Sequence, residues 1–150
     1  MEHHIFDEWY EVMIRKGIEK DIALQRINKV NEAFPEALVR DYEQLMVNLE
    51  LPDKKDIHVL AAAIKTNASL IITNNHKHFP SHYLDQFGIE TKGPDDFFTD
   101  LIDLNHNSSL QAFKSLVLQK KNPPYDEFQV LEILRRNGLK GTADYLHSLL

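Results

Sequence analysis

Residues 51–80, LPDKKDIHVLAAAIKTNASLIITNNHKHFP, constrain the fold more than any other stretch, because a helix is followed at once by a short strand with no polar face. Pro52 and Asp53 mark the helix start, with Asp53 as N-cap and Asp56 three residues on, in the first turn where a carboxylate meets unpaired N–H groups. The helix is predicted to end near Thr66. Its apolar residues Leu60, Ala63 and Ile64 recur at helical spacing, and Asp56 lies one turn before Leu60, so this acid projects from the core-facing stripe. A charge in that position is unusual.

The run from Ala68 to Ile72 is short, apolar and partly β-branched, as suits a strand covered on both faces. Thr73, Asn74 and Asn75 end it. A helix that packs back on its following strand runs antiparallel to it, which sets the helix start beside the strand's C-terminal end. Asp56, Thr73 and Asn75 are therefore expected to meet, at the kind of edge where open α/β sheets place their ligands. This edge is the candidate active site.

A chain of 150 residues with 43% hydrophobic content can bury one real core. Its formal net charge of -6 argues against the broad basic surface of a tight, nonspecific nucleic-acid binder, and leaves room for a local basic groove. With no cysteine, disulfides and thiolate metal sites are excluded. No apolar run approaches the roughly 20 residues of a membrane helix, and no signal peptide precedes the first helix. A cytoplasmic protein with no membrane partner is expected.

The rest of the chain supplies helices and two further strand candidates. Residues 1–15 read as a helix with Ile5, Trp9, Val12 and Met13 on one stripe, Glu8 bordering it, and Lys16-Gly17 as the stop. A second amphipathic helix follows through Ile22, Leu24, Ile27 and Val30, until Phe34-Pro35 breaks it. Residues 37–42, ALVRDY, form a strand candidate, and residues 89–91 a small edge strand after a short helix ended by Gly88. Gly93-Pro94-Asp95 opens a helix through Phe97, Phe98, Leu101 and Ile102, with Asp95 as its cap. The last third is helical, interrupted by Asn122-Pro123-Pro124 and by Asn137-Gly138.

Three segments in this order, DKKDIHVLAAAI, LIITNNHKHFP and FGIETKGPDDFFTDL, resemble the second half of a PIN domain, of the type that includes VapC-like toxin ribonucleases. Ile5-Phe6-Asp7-Glu8-Trp9 resembles the family's earlier acidic helix. The likeness covers most of the chain and rests on the order and spacing of its motifs. It implies an α/β fold, a PIN-like three-layer α/β/α domain with a short parallel sheet over residues 1–103, and a helical C-terminal extension over residues 104–150. It also implies a metal-dependent endoribonuclease of the PIN/VapC toxin type, with Mg2+ or Mn2+ at one sheet edge, RNA as substrate and an antitoxin protein as partner.

Carried over by position, Glu8 and Asp56 match acidic site residues, and Asn75 matches the Asn or Asp of a T-x-[ND] segment, here Thr73-Asn74-Asn75. The resemblance thus implies Glu8, Asp56 and Asn75 as metal ligands and, together with Thr73, as the catalytic set. Hard divalent cations want oxygen ligands, and clustered carboxylates repel one another until a cation neutralises them.

Two departures from the family pattern bear on activity. The acid-bearing first strand, usually L-D-T/A-N, is missing, and His78 stands where many relatives carry an acid before Phe-Pro. An impaired nuclease is therefore expected, and, since a missing central strand leaves two edges unpaired, either a fragment or misassigned start, a strand-supplying partner, or a rearranged homo-oligomer. The alternative is a noncatalytic degenerate PIN scaffold acting as a protein-interaction module. His76, His78 and His82 fit no standard zinc spacing and are expected at the surface, as are His3 and His4. Residues 128–150 have the outline of a helix-turn-helix DNA reader, but their basic residues are few and interrupted by acids, which favours a helical hairpin in a core or an interface.

Overall fold

The computed structural model describes residues 3–150, with side chains from residue 4 onward. The expected helix start at Met1 and the expected exposure of His3 lie outside the described residues. Among the described residues no helix is long and apolar enough to cross a membrane.

Helix α1 (His3–Arg15) packs on helix α2 (Lys20–Ala33). The buried line of α1 is Phe6 and Met13, seven residues apart and so on one face, whereas Trp9 is half-buried and Val12 exposed. In α2 only Ala23 is fully buried. Ile22 and Leu24 are exposed, each turned about 100° round the helix from the buried Ala23, on opposite flanks of it. The glycine stop is as expected: Gly17 has φ 79°, its N–H donates to the Ile14 carbonyl at 2.9 Å, and the Ile18 N–H donates to Met13 at 3.0 Å.

The strand expected at 37–42 does not form. Pro35–Ala37 is a 3-10 turn, Val39 alone has bridge character, and Asp41 has φ 56°, which interrupts any extended run. Tyr42 turns inward instead and is 1% exposed. The short helix α3 (Glu43–Met46) follows, then α4 (Ile57–Lys65), whose buried face is His58, Leu60, Ala61, Ala62 and Ala63. The three alanines combine high helix propensity with small side chains, so α4 can sit deep in its core. Asn67, at φ 51°, ends it.

Strands β1 (Leu70–Ile72) and β2 (Glu90–Lys92) form a two-stranded parallel sheet. The Glu90 N–H donates to the Ser69 carbonyl at 3.0 Å, and the Thr73 N–H to the Lys92 carbonyl at 2.9 Å. Helix α5 (Ser81–Leu84) lies between the strands in sequence. Strand β2 starts one residue later than expected, and Ile89, 2% exposed, belongs to the core with Tyr42, Leu60, Ile71, Phe79 and Leu84.

Helices α6 (Pro94–Leu104), α7 (His106–Gln119), α8 (Glu127–Arg136) and α9 (Lys140–Ser148) surround a second core of Ile102, Phe113, Val130, Leu131, Ala143 and Leu146. Asp126 and Gln129 close a reciprocal capping box at the start of α8. Asp95 does not cap its own helix; Gly93 occupies the N-cap position, and the Asp95 carboxylate reaches the start of α9. Arg135 is held by Glu132 and Asp144, so the α8–α9 pair commits this cation to protein acids rather than offering it to a phosphate.

By its contacts the chain forms two compact units, one running to Ile71 with Asn75–Glu90 added, the other made of Ile72–Asn74 and Thr91–Leu150. The mostly helical architecture, with a short parallel sheet and C-terminal helices, agrees with a PIN-like α/β/α fold.

Candidate metal centre

The capping turn before α4 and the 3-10 turn at His76–His78 bring three polar side chains together. Asp53 caps the first of these turns, its Oδ1 accepting the Lys55 N–H at 3.0 Å. Its Oδ2 lies 3.7 Å from His78 Nδ1. Asp56 Oδ2 is closer, 2.7 Å from the same nitrogen. Ligand atoms of Asp53, Asp56 and His78 all lie within 4.8 Å of one another, in partly buried surroundings.

Asn75 joins them through Nδ2, which is 3.0 Å from His78 Nδ1. One imidazole nitrogen thus faces a carboxylate and an amide at once. His78, expected at the surface, has only 23% of its side chain exposed and sits between two acids. The sequence did carry a signal for it: the resemblance sets His78 at a position where the family pattern implies an acid, so the position pointed at the site even though the residue type did not.

Glu8 takes a different neighbour. Its Oε1 lies 3.9 Å from Nε2 of His58, a buried residue of α4 two positions after Asp56, and the Glu8 side chain is 63% exposed. His4 stacks on His58 with ring centroids 5.2 Å apart and meets the Tyr42 hydroxyl at 2.8 Å, so His4 and His58 link α1 to α4. His4 is exposed, as expected, but its contacts with Tyr42 and His58 were not visible in the sequence. Thr73 contributes its backbone to the strand pairing described above. The structure therefore gathers Asp56, Asn75, Asp53 and His78, and sets Glu8 against His58.

The donor set fits a divalent cation. Two carboxylates supply hard oxygen ligands and the imidazole supplies nitrogen, from two separate turns of the chain. With the acids partly buried, an ion would also offset the repulsion between them.

Fold and site together define a class. The family model described as PIN domain matches residues 1–77, and the model described as VapC50 C-terminal domain matches residues 94–148. The chain belongs to the PIN domain family. It is similar to the Mycobacterium tuberculosis protein described as "Putative ribonuclease VapC50", with 38% identity over 80 residues, 53% of this chain and 47% of that protein. The chain thus spans about half the length of the curated relative it matches. No solved structure matches it.

Proposed function

We propose that this chain is a metal-dependent endoribonuclease of the VapC toxin type, working at the turn that carries Asp56. The observation that supports it most is the convergence of Asp53, Asp56 and His78 within 4.8 Å, in a chain of the PIN family. A bound divalent cation, Mg2+ or Mn2+ on the family pattern, would lower the pKa of a water molecule and neutralise charge on the phosphate. Asp56 is the anchoring ligand in this proposal, with Asp53 beside it. Asn75 orients the attacking water through its amide, and Thr73 steadies the turn. Glu8, whose carboxylate is exposed on the neighbouring helix, has a peripheral part. Lys54 and Lys55, exposed between the two aspartates, provide counter-charge for the RNA backbone.

Hydrolysis would then form one phosphorus–oxygen bond from water and break another to a ribose oxygen, which leaves as a hydroxyl with the proton the water gives up. The antitoxin partner of such a nuclease would be a peptide that covers the same acidic turn, and the reaction belongs in the cytoplasm. A second reading is favoured by one contact: the Asp56–His78 pair at 2.7 Å ties up the key carboxylate, as in a scaffold that binds partners without cutting RNA.

RNA incubated with Mn2+ and either the native chain or Asp56→Ala separates the two. The nuclease predicts cleavage that falls at least about a hundredfold in the variant. Equal cleavage by both proteins defeats the assignment of Asp56, and cleavage by neither supports the scaffold.

A further inference from the structure

We propose that this site takes a first-row transition ion that accepts nitrogen, Mn2+, Co2+ or Ni2+, in preference to Mg2+, and that His78 Nδ1 is the ligand that sets the preference. The inference rests on the metal-dependent reading above and sharpens it.

His78 Nδ1 is directed at both acids, 2.7 Å from Asp56 Oδ2 and 3.7 Å from Asp53 Oδ2. It is also 3.0 Å from Asn75 Nδ2. An imidazole nitrogen and one oxygen from each of two carboxylates lie within 4.8 Å of one another, so a single cation could receive a lone pair from all three. Asp53 is already turned for this, since the Lys55 N–H holds Oδ1 and leaves Oδ2 toward the site, an outer contact of the kind that orients metal ligands.

The choice of ion follows from the donor atoms. Mg2+ favours an all-oxygen octahedron and gives up water reluctantly, whereas imidazole nitrogen suits the later first-row ions, and affinity at a mixed nitrogen and oxygen site rises along the series from Mn2+ to Ni2+. An aspartate at position 78 would complete an oxygen set; the histidine moves the site along the series.

The test titrates the full metal-free chain by calorimetry with Mg2+, Mn2+ and Ni2+ in turn, for the native protein, His78→Asp, His78→Asn and Asp56→Ala. Nearly every nitrogen or oxygen site prefers Ni2+ to Mg2+ to some degree, so the decisive quantity is the change in preference. The native chain should bind Mn2+ and Ni2+ at least about tenfold more tightly than Mg2+, and His78→Asp should shrink the Ni2+/Mg2+ ratio at least about tenfold. Pulsed EPR of the Mn2+-loaded native chain should show coupling to an imidazole nitrogen that both position-78 variants lack. Circular dichroism melts establish that each variant is folded, and His78→Asn serves if His78→Asp is not.

An unchanged ratio in a folded position-78 variant, or no nitrogen coupling in the native protein, overturns the inference. If ions still bind and Asp56→Ala abolishes that binding, the metal-dependent reading survives its loss. If no ion binds the native chain, both fall.

Discussion

The Asp95 carboxylate caps Thr142: its Oδ1 accepts the Thr142 N–H at 2.8 Å and the Thr142 hydroxyl at 2.7 Å, while Oδ2 accepts the Gly141 N–H at 2.7 Å. The start of α9 is thereby satisfied by a side chain from the first turn of α6. The local N-cap residue, Leu139, has no side-chain acceptor of its own. Asp95→Ala should destabilise the helical unit by about 2 kcal/mol, because it removes a cap and leaves the hydroxyl of buried Thr142 only the long contact to the Asp95 main-chain carbonyl, at 3.3 Å. Urea unfolding followed by circular dichroism measures this, and a midpoint equal to that of the native protein would refute it.

The same contact sets a pH dependence. Burial alone would raise the Asp95 pKa, but the hydrogen bonds from Thr142 and Gly141 outweigh it and hold the carboxyl below its ordinary value. The folded-state pKa is therefore the lower one. Its contribution to stability is complete above the unfolded-state value, near pH 4, and is lost as pH falls through the folded-state value. Stability of the native chain should decline more steeply below about pH 4 than that of Asp95→Asn, as thermal melts across that range would record.

Gly138 ends α8 at φ 86°, with its N–H on the Arg135 carbonyl at 3.1 Å and the Leu139 N–H on Leu134 at 3.0 Å. A Cβ at that position meets no atom but strains the left-handed backbone. Gly138→Ala should cost about 1 kcal/mol in denaturant unfolding, with no change in metal binding.

Leu60 and Leu131 are both 0% exposed, one in each core. Truncating either to alanine should cost about 2 to 5 kcal/mol. Hydrogen exchange should show Leu60→Ala loosening α4 and Leu131→Ala loosening α8. Uniform, unchanged protection in either variant would count against the assigned packing.

Metal binding should also appear as stability. At an ion concentration a hundredfold above its dissociation constant, Mn2+ should stabilise the native chain by about 2.7 kcal/mol, and a chelator should remove that gain. Asp56→Ala should show no such response in thermal melts.

Where a feature depends on neighbours along the chain, the sequence alone determined it. The helix through Leu60 and Ala63, a strand within the run 68–72 that forms at Leu70–Ile72, the stops at Gly17 and Gly138, and the family membership all follow from short-range pattern and turn chemistry. Asp56 was legible as an odd charge for the same reason, since its placement one turn before a buried leucine is a local fact.

Only the tertiary structure decided which distant groups meet. Asp95 looks like the cap of its own helix, yet it caps one 46 residues further on. His78 is 22 residues from Asp56 and shares a hydrogen bond with it, and His4 meets Tyr42, 38 residues further on, and stacks on His58 only through the fold. The strand expected at 37–42 gave way to a left-handed Asp41 and a buried Tyr42. Periodicity reports which face of an element is apolar, whereas the identity of the atom opposite a carboxylate or an imidazole depends on how the chain closes over long loops, and no local pattern encodes that.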